Sequence, residues 1–295
     1  MSTFQTFAPA KINLYLHITG KRDNGYHLLD SLVAFTNIGD ALYLESAPAF
    51  VLTIDGPMAG PLASEPADNN LVAKAAKSLA LALGKSLNFK LTLTKKLPIA
   101  SGIGGGSSDA AAALRLVAAF WGLAPNAPVL YEIAASLGAD IPCCIDATTC
   151  YFRDIGNIVE PGPALPHTDI VLVNPNEALP TPAVYKARAG NFSAAARLEK
   201  TPQNAAELAL ALQKRGNDLT EPACRLIPTI RVVLAAIEQT SACLLARMSG
   251  SGATCFGLYP DRLTARQAAS QILTQHPDWW VVPGYVPCKN TPPMG

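Results

Sequence analysis

The chain has 295 residues, 49% of them hydrophobic and 15% charged, with a formal net charge of +1. That length suits about two domains and that apolar share is ample for packed cores, which excludes a disordered chain. A charge balance this near neutrality provides no field to hold nucleic acid or an anionic membrane. No apolar run reaches the roughly 18 residues of a span and the opening MSTFQTFAPAKI is no leader peptide, so a cytoplasmic protein with a small-molecule partner is expected.

From Lys11 the residues alternate, with Ile12, Leu14, Leu16 and Ile18 on one face and Lys11, Asn13, Tyr15 and His17 on the other, as in a half-buried strand. Lys11 and Asn13 therefore point the same way. The turn GKRDNG leads to Tyr26 and His27, and short strands are expected near Ala41 to Ser46 and Phe50 to Ile54. Leu71, Ala75, Leu79 and Leu83 recur every four residues and predict a helix that stops at Gly84. A strand at Phe89 to Thr94 then delivers the chain into LPIASGIGGGSSDAAAALRLVAAF. Here glycines and serines run directly into a helical apolar pattern ending near Trp121.

That junction is built as an anion cradle. Gly102, Gly104, Gly105 and Gly106 permit positive φ and close backbone approach, and Ser107, Ser108 and Asp109 are suited to cap the helix. Free N–H groups and the positive end of the helix dipole favour phosphate there. It is neither of two better-known phosphate loops. In Gly84-Lys85-Ser86 the first Walker position falls on Leu79, and in a dinucleotide fingerprint starting at Gly102 and Gly104 the third glycine falls on Ser107.

Beyond it, a helix is expected from about Pro128 to Leu137, ending at Gly138, with Asp140 opening the next segment. Strands are expected near Thr149 to Arg153 and Asp169 to Asn174. Thr181-Pro182 reads as an N-cap followed by proline at N1, opening a helix that carries Tyr185. Helices at about Asn204 to Arg215 and Thr229 to Glu238 precede a strand, the loop SGSGAT and a second strand over Ala242 to Tyr259. An amphipathic segment, Thr264 to Leu273, and a strand near Trp279 to Val282 close the chain. Helices and strands that do not strictly alternate predict an α+β fold in two layers. The seven cysteines form no CxxC pair and read as reduced, mostly buried thiols, Cys143 and Cys144 included.

Three separated segments together, APAKINLYL from Ala8, PIASGIGGGSSDAAA from Pro98 and MSGSGATCF from Met248, resemble the GHMP family of small-molecule kinases (galactose, homoserine, mevalonate and phosphomevalonate kinases). The longer opening through YHLLDSL, with GADIPCC from Gly138 and LPTPAVY from Leu179, is similar to a branch whose substrate is a cytidine diphosphate derivative. The resemblance implies a two-domain α+β kinase using ATP and Mg²⁺, with the active cleft between its domains. The ATP-binding domain would take about residues 1–155 and be rejoined by a final strand at 277–295; the substrate domain would take 156–276.

Residue by residue, the resemblance places Pro98, Ile99, Ala100, Ser101, Gly102, Ile103, Gly104, Gly105, Gly106, Ser107 and Ser108 in a phosphate loop and Asn70 near the adenine. It makes Lys11 and Asp140 the catalytic pair, whereas by position alone Lys11 reads as a solvated strand lysine and Asp140 as an N-cap. Tyr26, His27 and Tyr185 would flank the cytosine, and Asn13 and Thr181 would make polar contacts to the substrate. Phe152 to Asn157, FRDIGN, departs from relatives that carry an acidic residue in a glycine turn there. Kinases of the homoserine or mevalonate type, and a noncatalytic metabolite sensor on the same fold, are the alternatives. Metal ligands and oligomeric state are not legible in the sequence.

Overall fold

The computed structural model describes residues 3–60, 62 and 65–288, so residues 289–295 of the expected closing segment lie outside it. Strands β1 (Phe4–Lys21) and β2 (His27–Ser46) form one long antiparallel hairpin, of which the expected strands at Lys11 and Ala41 are only parts. Register shifts at Pro9/Lys11, Asn13/Tyr15 and Ile18/Gly20 bend this ribbon, as an unpaired residue in one strand does. Strand β3 (Val51–Asp55), helix α1 (Leu71–Leu83), β4 (Phe89–Thr94), α2 (Gly105–Phe120), α3 (Pro128–Leu137), α4 (Ile141–Asp146), β5 (Cys150–Asp154) and β6 (Ile158–Pro161) follow. The first sheet runs β3-β4-β2-β5-β6, with β1 paired to β2.

The second half holds β7 (Thr168–Asn174), α5 (Thr181–Ala187), α6 (Ala205–Gln213), α7 (Thr220–Leu226), α8 (Thr229–Glu238), β8 (Leu245–Met248), β9 (Cys255–Tyr259), α9 (Arg262–Gln275) and β10 (Trp280–Val286). Its sheet runs β10-β7-β9-β8. The closing strand, expected to rejoin the ATP-binding domain, hydrogen-bonds along the whole of β7 and so pairs into the second sheet. It still touches the first half. A Cβ on Gly284 would sit 2.5 Å from Asn37 Oδ1, and the amide of Tyr285 donates to that same oxygen at 2.7 Å.

Three buried clusters organise the described residues of this α+β fold. On β7, Val171 and Val173 face Ile230, Val233 and Ala268 of α8 and α9, whereas Ile170 and Leu172 face Ile12 and Leu14 of β1. The third core packs α1 to α4 on the first sheet through Leu42, Leu44, Leu79, Leu114 and Leu130. Each such side chain contributes about 1.5–3 kcal/mol when fully buried. Because β1 is covered on both sides, Lys11, Asn13, Tyr15 and His17 are buried, which overturns the half-solvated strand. Among the described residues no helix is long and apolar enough to cross a membrane.

Candidate active site

The cleft is assembled where β1, the N-terminus of α2 and the N-terminus of α4 meet. The glycine segment docks on β1 through the amide of Lys11, which donates to Ile103 O at 2.9 Å. Positive φ angles occur at Ala100, Gly102 and Gly104, and α2 begins at Gly105 with Gly104 as its N-cap. Two sequence expectations are corrected here. Gly105 and Gly106 need no positive φ; they lie in the first turn of α2, where the missing side chains leave its amide face open to the cleft. Ser107, Ser108 and Asp109 are not caps, since the helix starts ahead of them.

A second glycine loop, Ser249 to Thr254, interlocks with the first. A Cβ on Gly102 would lie 2.6 Å from Ser249 O, and one on Gly250 2.6 Å from Gly102 O, so each glycine admits a carbonyl of the opposite loop. Ser249 Oγ donates to Gly102 O at 3.0 Å and accepts from the amide of Asn13 at 3.1 Å. The first glycine loop is thus clamped between β1 and the turn joining β8 to β9.

Lys11 and Asp140 meet across this floor, with Nζ 2.8 Å from Oδ2. Asp140 occupies the N-cap position of α4, yet its side chain makes no capping bond. Its carboxylate is 46% exposed to the cleft while Lys11 is buried. Burial disfavours the Lys11 ammonium, but the Asp140 carboxylate, with Cys143 and Cys144 adding to it, more than offsets that and holds the lysine above its ordinary value. The ammonium also lies 4.8 Å from the centre of the Phe152 ring, whose face adds to the attraction.

The surrounding cavity, about 460 Å³, receives most of the expected residues. Pro98, Ile99, Ala100, Ser101, Gly102, Gly104, Gly105, Gly106, Ser107, Asn70, Asn13, Thr181 and Tyr185 line it with Lys11 and Asp140. Ile103 and Ser108 do not; both are fully buried beneath it, Ile103 in the core between the sheets. Asn70 caps α1, its Oδ1 accepting from the amide of Val72 at 2.9 Å. Thr181 is the first helical residue of α5 and not its cap, since Pro180 holds that position; its hydroxyl meets Ser251 Oγ at 2.8 Å. His27 packs on Tyr185 with ring centres 5.3 Å apart. Burial, then Lys21 and Arg188, lower the His27 pKa, so this ring is neutral at pH 7. Tyr26 stands apart, 60% exposed on the turn between β1 and β2. In the departing FRDIGN segment Asp154 has a positive φ and pairs with Arg22, and a Cβ on Gly156 would lie 3.7 Å from Asp140 Oδ1.

Sequence reasoning missed a buried trio behind the cradle. Lys95 Nζ bonds both Asp40 and Asp109, the latter at 2.7 Å, and Asp40 Oδ1 also accepts from the amides of Lys96 and Leu97 at the start of the loop. Burial pushes Asp109 up to about 8, with Lys95 opposing and Asp40 adding to the rise. A carboxylate at an otherwise alanine-filled helix face was the available signal. The described cysteines are free and all but Cys243 and Cys288 are buried, as expected. Among the described residues no group of three His, Cys, Asp or Glu could hold a metal ion, Cys143 and Cys144 included.

Comparison with known proteins agrees with this geometry. Residues 70–153 match the model of the GHMP kinases N terminal domain and residues 192–278 that of the GHMP kinases C terminal. The chain is 51% identical over 283 residues to a 4-diphosphocytidyl-2-C-methyl-D-erythritol kinase of Paramagnetospirillum magneticum, covering 96% of this chain and 98% of that protein. It is 49% identical to the Ruegeria pomeroyi protein of that name, covering 96% and 99%. A crystal structure of 4-(cytidine 5'-diphospho)-2C-methyl-D-erythritol kinase superposes with a TM-score of 0.76 at 30% identity, over 95% of this chain and 98% of that one. A homoserine kinase from Cytophaga hutchinsonii shares the fold, with a TM-score of 0.73 at 16% identity over 100% and 97%.

Proposed function

Since the chain belongs to the GHMP kinase family, we propose that it transfers the γ-phosphoryl group of ATP to the 2-hydroxyl of 4-diphosphocytidyl-2-C-methyl-D-erythritol, a step of non-mevalonate isoprenoid precursor synthesis. The observation that carries the chemistry is the Lys11–Asp140 pair, 2.8 Å apart at the mouth of the helix that starts from Gly105. Phosphoryl transfer proceeds through a loose transition state, so catalysis is chiefly positioning and charge stabilisation. The amides of the first turn of α2 and the loop before it hold the phosphates. Asp140 accepts the proton of the attacking hydroxyl, and the Lys11 ammonium offsets charge on the group in flight.

The polar oxygens at the cradle suit a metal bound mainly through nucleotide phosphates: Ser107 lines the cavity, and beneath it Ser108 Oγ and Asp109 Oδ1 have no partner among the described residues. When bound there, Mg²⁺ neutralises phosphate charge. Tyr185 and His27 form one wall for the cytosine, with Asn13 and Thr181 as polar contacts; Tyr26 reaches that wall only if its turn folds inward on the bound substrate. We further assign residues 1–155 to nucleotide binding and 156–276 to the substrate side, and place the enzyme, with its free thiols, in the reducing cytoplasm. A sensor needs no base, and the paired Lys11 and Asp140 favour the enzyme. Coupled ADP-release assays with 4-diphosphocytidyl-2-C-methyl-D-erythritol, homoserine and mevalonate test the substrate, and turnover confined to either of the latter two overturns it.

A further inference from the structure

Helix α2 carries the phosphate cradle at one end and, ten residues after its first residue, a guanidinium turned toward the other two elements of the site. All the hydrogen-bond partners of Arg115 are main-chain carbonyls. Nη1 donates to Cys144 O at 2.6 Å and to Ile145 O at 3.2 Å; Nη2 donates to Phe7 O at 2.8 Å. Cys144 and Ile145 belong to the last turn of α4, whose carbonyls have no partners within the helix and whose dipole is negative there. Phe7 lies on β1, four residues before Lys11, as Cys144 lies four residues after Asp140.

A six-residue helix does not hold its own conformation in water. With no side-chain cap on Asp140, the place of that carboxylate is set by where α4 is seated, and Arg115 seats it against the strand that bears Lys11. Burial lowers the pKa of the guanidinium, a cost that an apolar side chain of the same length would avoid. What an apolar chain could not do is bridge three carbonyls on two elements, and the ammonium of lysine, a point charge on a flexible stem, does it poorly.

We propose that Arg115 is a positioning residue that fixes the distance between Lys11 and Asp140 by tying the C-terminus of α4 to β1. The inference rests on the reading of Asp140 as the base. Its test is a double-mutant cycle: kcat and KM for both substrates are measured in wild type, R115K, D140N and R115K/D140N, with R115Q as a second replacement that keeps two N–H donors. R115K is expected to lower kcat about tenfold, with both KM values within about twofold, since a sub-ångström shift of reacting groups costs rate more than binding. In the D140N background the same change should cost less than about twofold, because there is no longer a base to misplace. Equal losses in both backgrounds, or a loss confined to KM, would overturn the positioning role alone. A D140N enzyme with wild-type turnover would instead remove the base assignment and the proposal with it. Failure of both R115K and R115Q to fold would mark the arginine as a general structural tie and overturn the proposal as well.

Discussion

A single methyl group at Gly104 should act on the Lys11–Asp140 pair, proposed as catalytic, from the loop side. A Cβ there would lie 2.8 Å from Lys11 Cε and 3.1 Å from Lys11 Cβ. Carbon atoms settle at about 3.5–4.0 Å, so Lys11 Cε would have to retreat by about 0.7 Å or more. The side chain is buried and its ammonium is held 2.8 Å from Asp140, so retreat is made at the expense of that contact. Misplacing a reacting group by about 1 Å costs on the order of 10²-fold, which puts kcat of Gly104→Ala about 30- to 100-fold below wild type. Gly104 also has φ of 63°, a conformation that costs an L residue about 1–2 kcal/mol and lowers the melting midpoint of a chain this size by roughly 2–3 °C. The contrast is Gly106→Ala, whose Cβ meets, among the described residues, only Leu71 Cδ1 at 3.7 Å. In that helical position the change should raise the melting midpoint, since alanine is favoured over glycine by about 0.5–1 kcal/mol. Coupled ADP release gives the rates and calorimetry the midpoints. A folded Gly104→Ala enzyme with wild-type kcat would refute the claim that the loop backbone sets the place of Lys11.

Asp140→Asn keeps the shape of the side chain and deletes its charge, so kcat should fall by about 10²- to 10⁴-fold with ATP affinity little changed; near-normal turnover would leave Asp140 as no more than a helix cap. Asp109 in the folded chain keeps a proton that the unfolded chain releases above about pH 4, so its contribution to stability declines as pH climbs toward about 8. Urea unfolding should therefore show Asp109→Asn gaining on wild type between pH 5.5 and pH 8, and a constant difference between the two would count against a protonated Asp109. Tyr185, pushed up to about 12 chiefly by burial, is a neutral phenol at pH 7, and the proposed contact to cytosine is through its ring. Tyr185→Phe should leave the KM for the cytidyl substrate within about twofold, whereas Tyr185→Ala should raise it about five- to tenfold, as loss of a stacking partner worth roughly 1 kcal/mol requires; equal effects of the two would assign the contact to the hydroxyl.

The parts of this protein that short-range chemistry controls were legible in its sequence. Gly84 stops α1 in a left-handed conformation, the alternation at Phe89 to Thr94 makes β4, and a glycine run before an alanine stretch gives way to α2 at Gly105. Tertiary structure decided what depends on partners remote in the chain. Lys11 alternates like any half-exposed strand residue, and only the covering of β1 from both sides buries it; only the seat of α4 brings Asp140 within 2.8 Å of it from 129 residues away. The interlocked carbonyls of Gly102 and Ser249, and the meeting of Asp40, Lys95 and Asp109, have no local signature, because each pairs groups that periodicity and turn chemistry treat separately. The pairing of the last strand was not legible for the same reason. Its residues specify a strand, but which edge it joins is settled by the hydrogen bonds that β7 leaves open and by a glycine, Gly284, that lets it pass over Asn37 and Ile38.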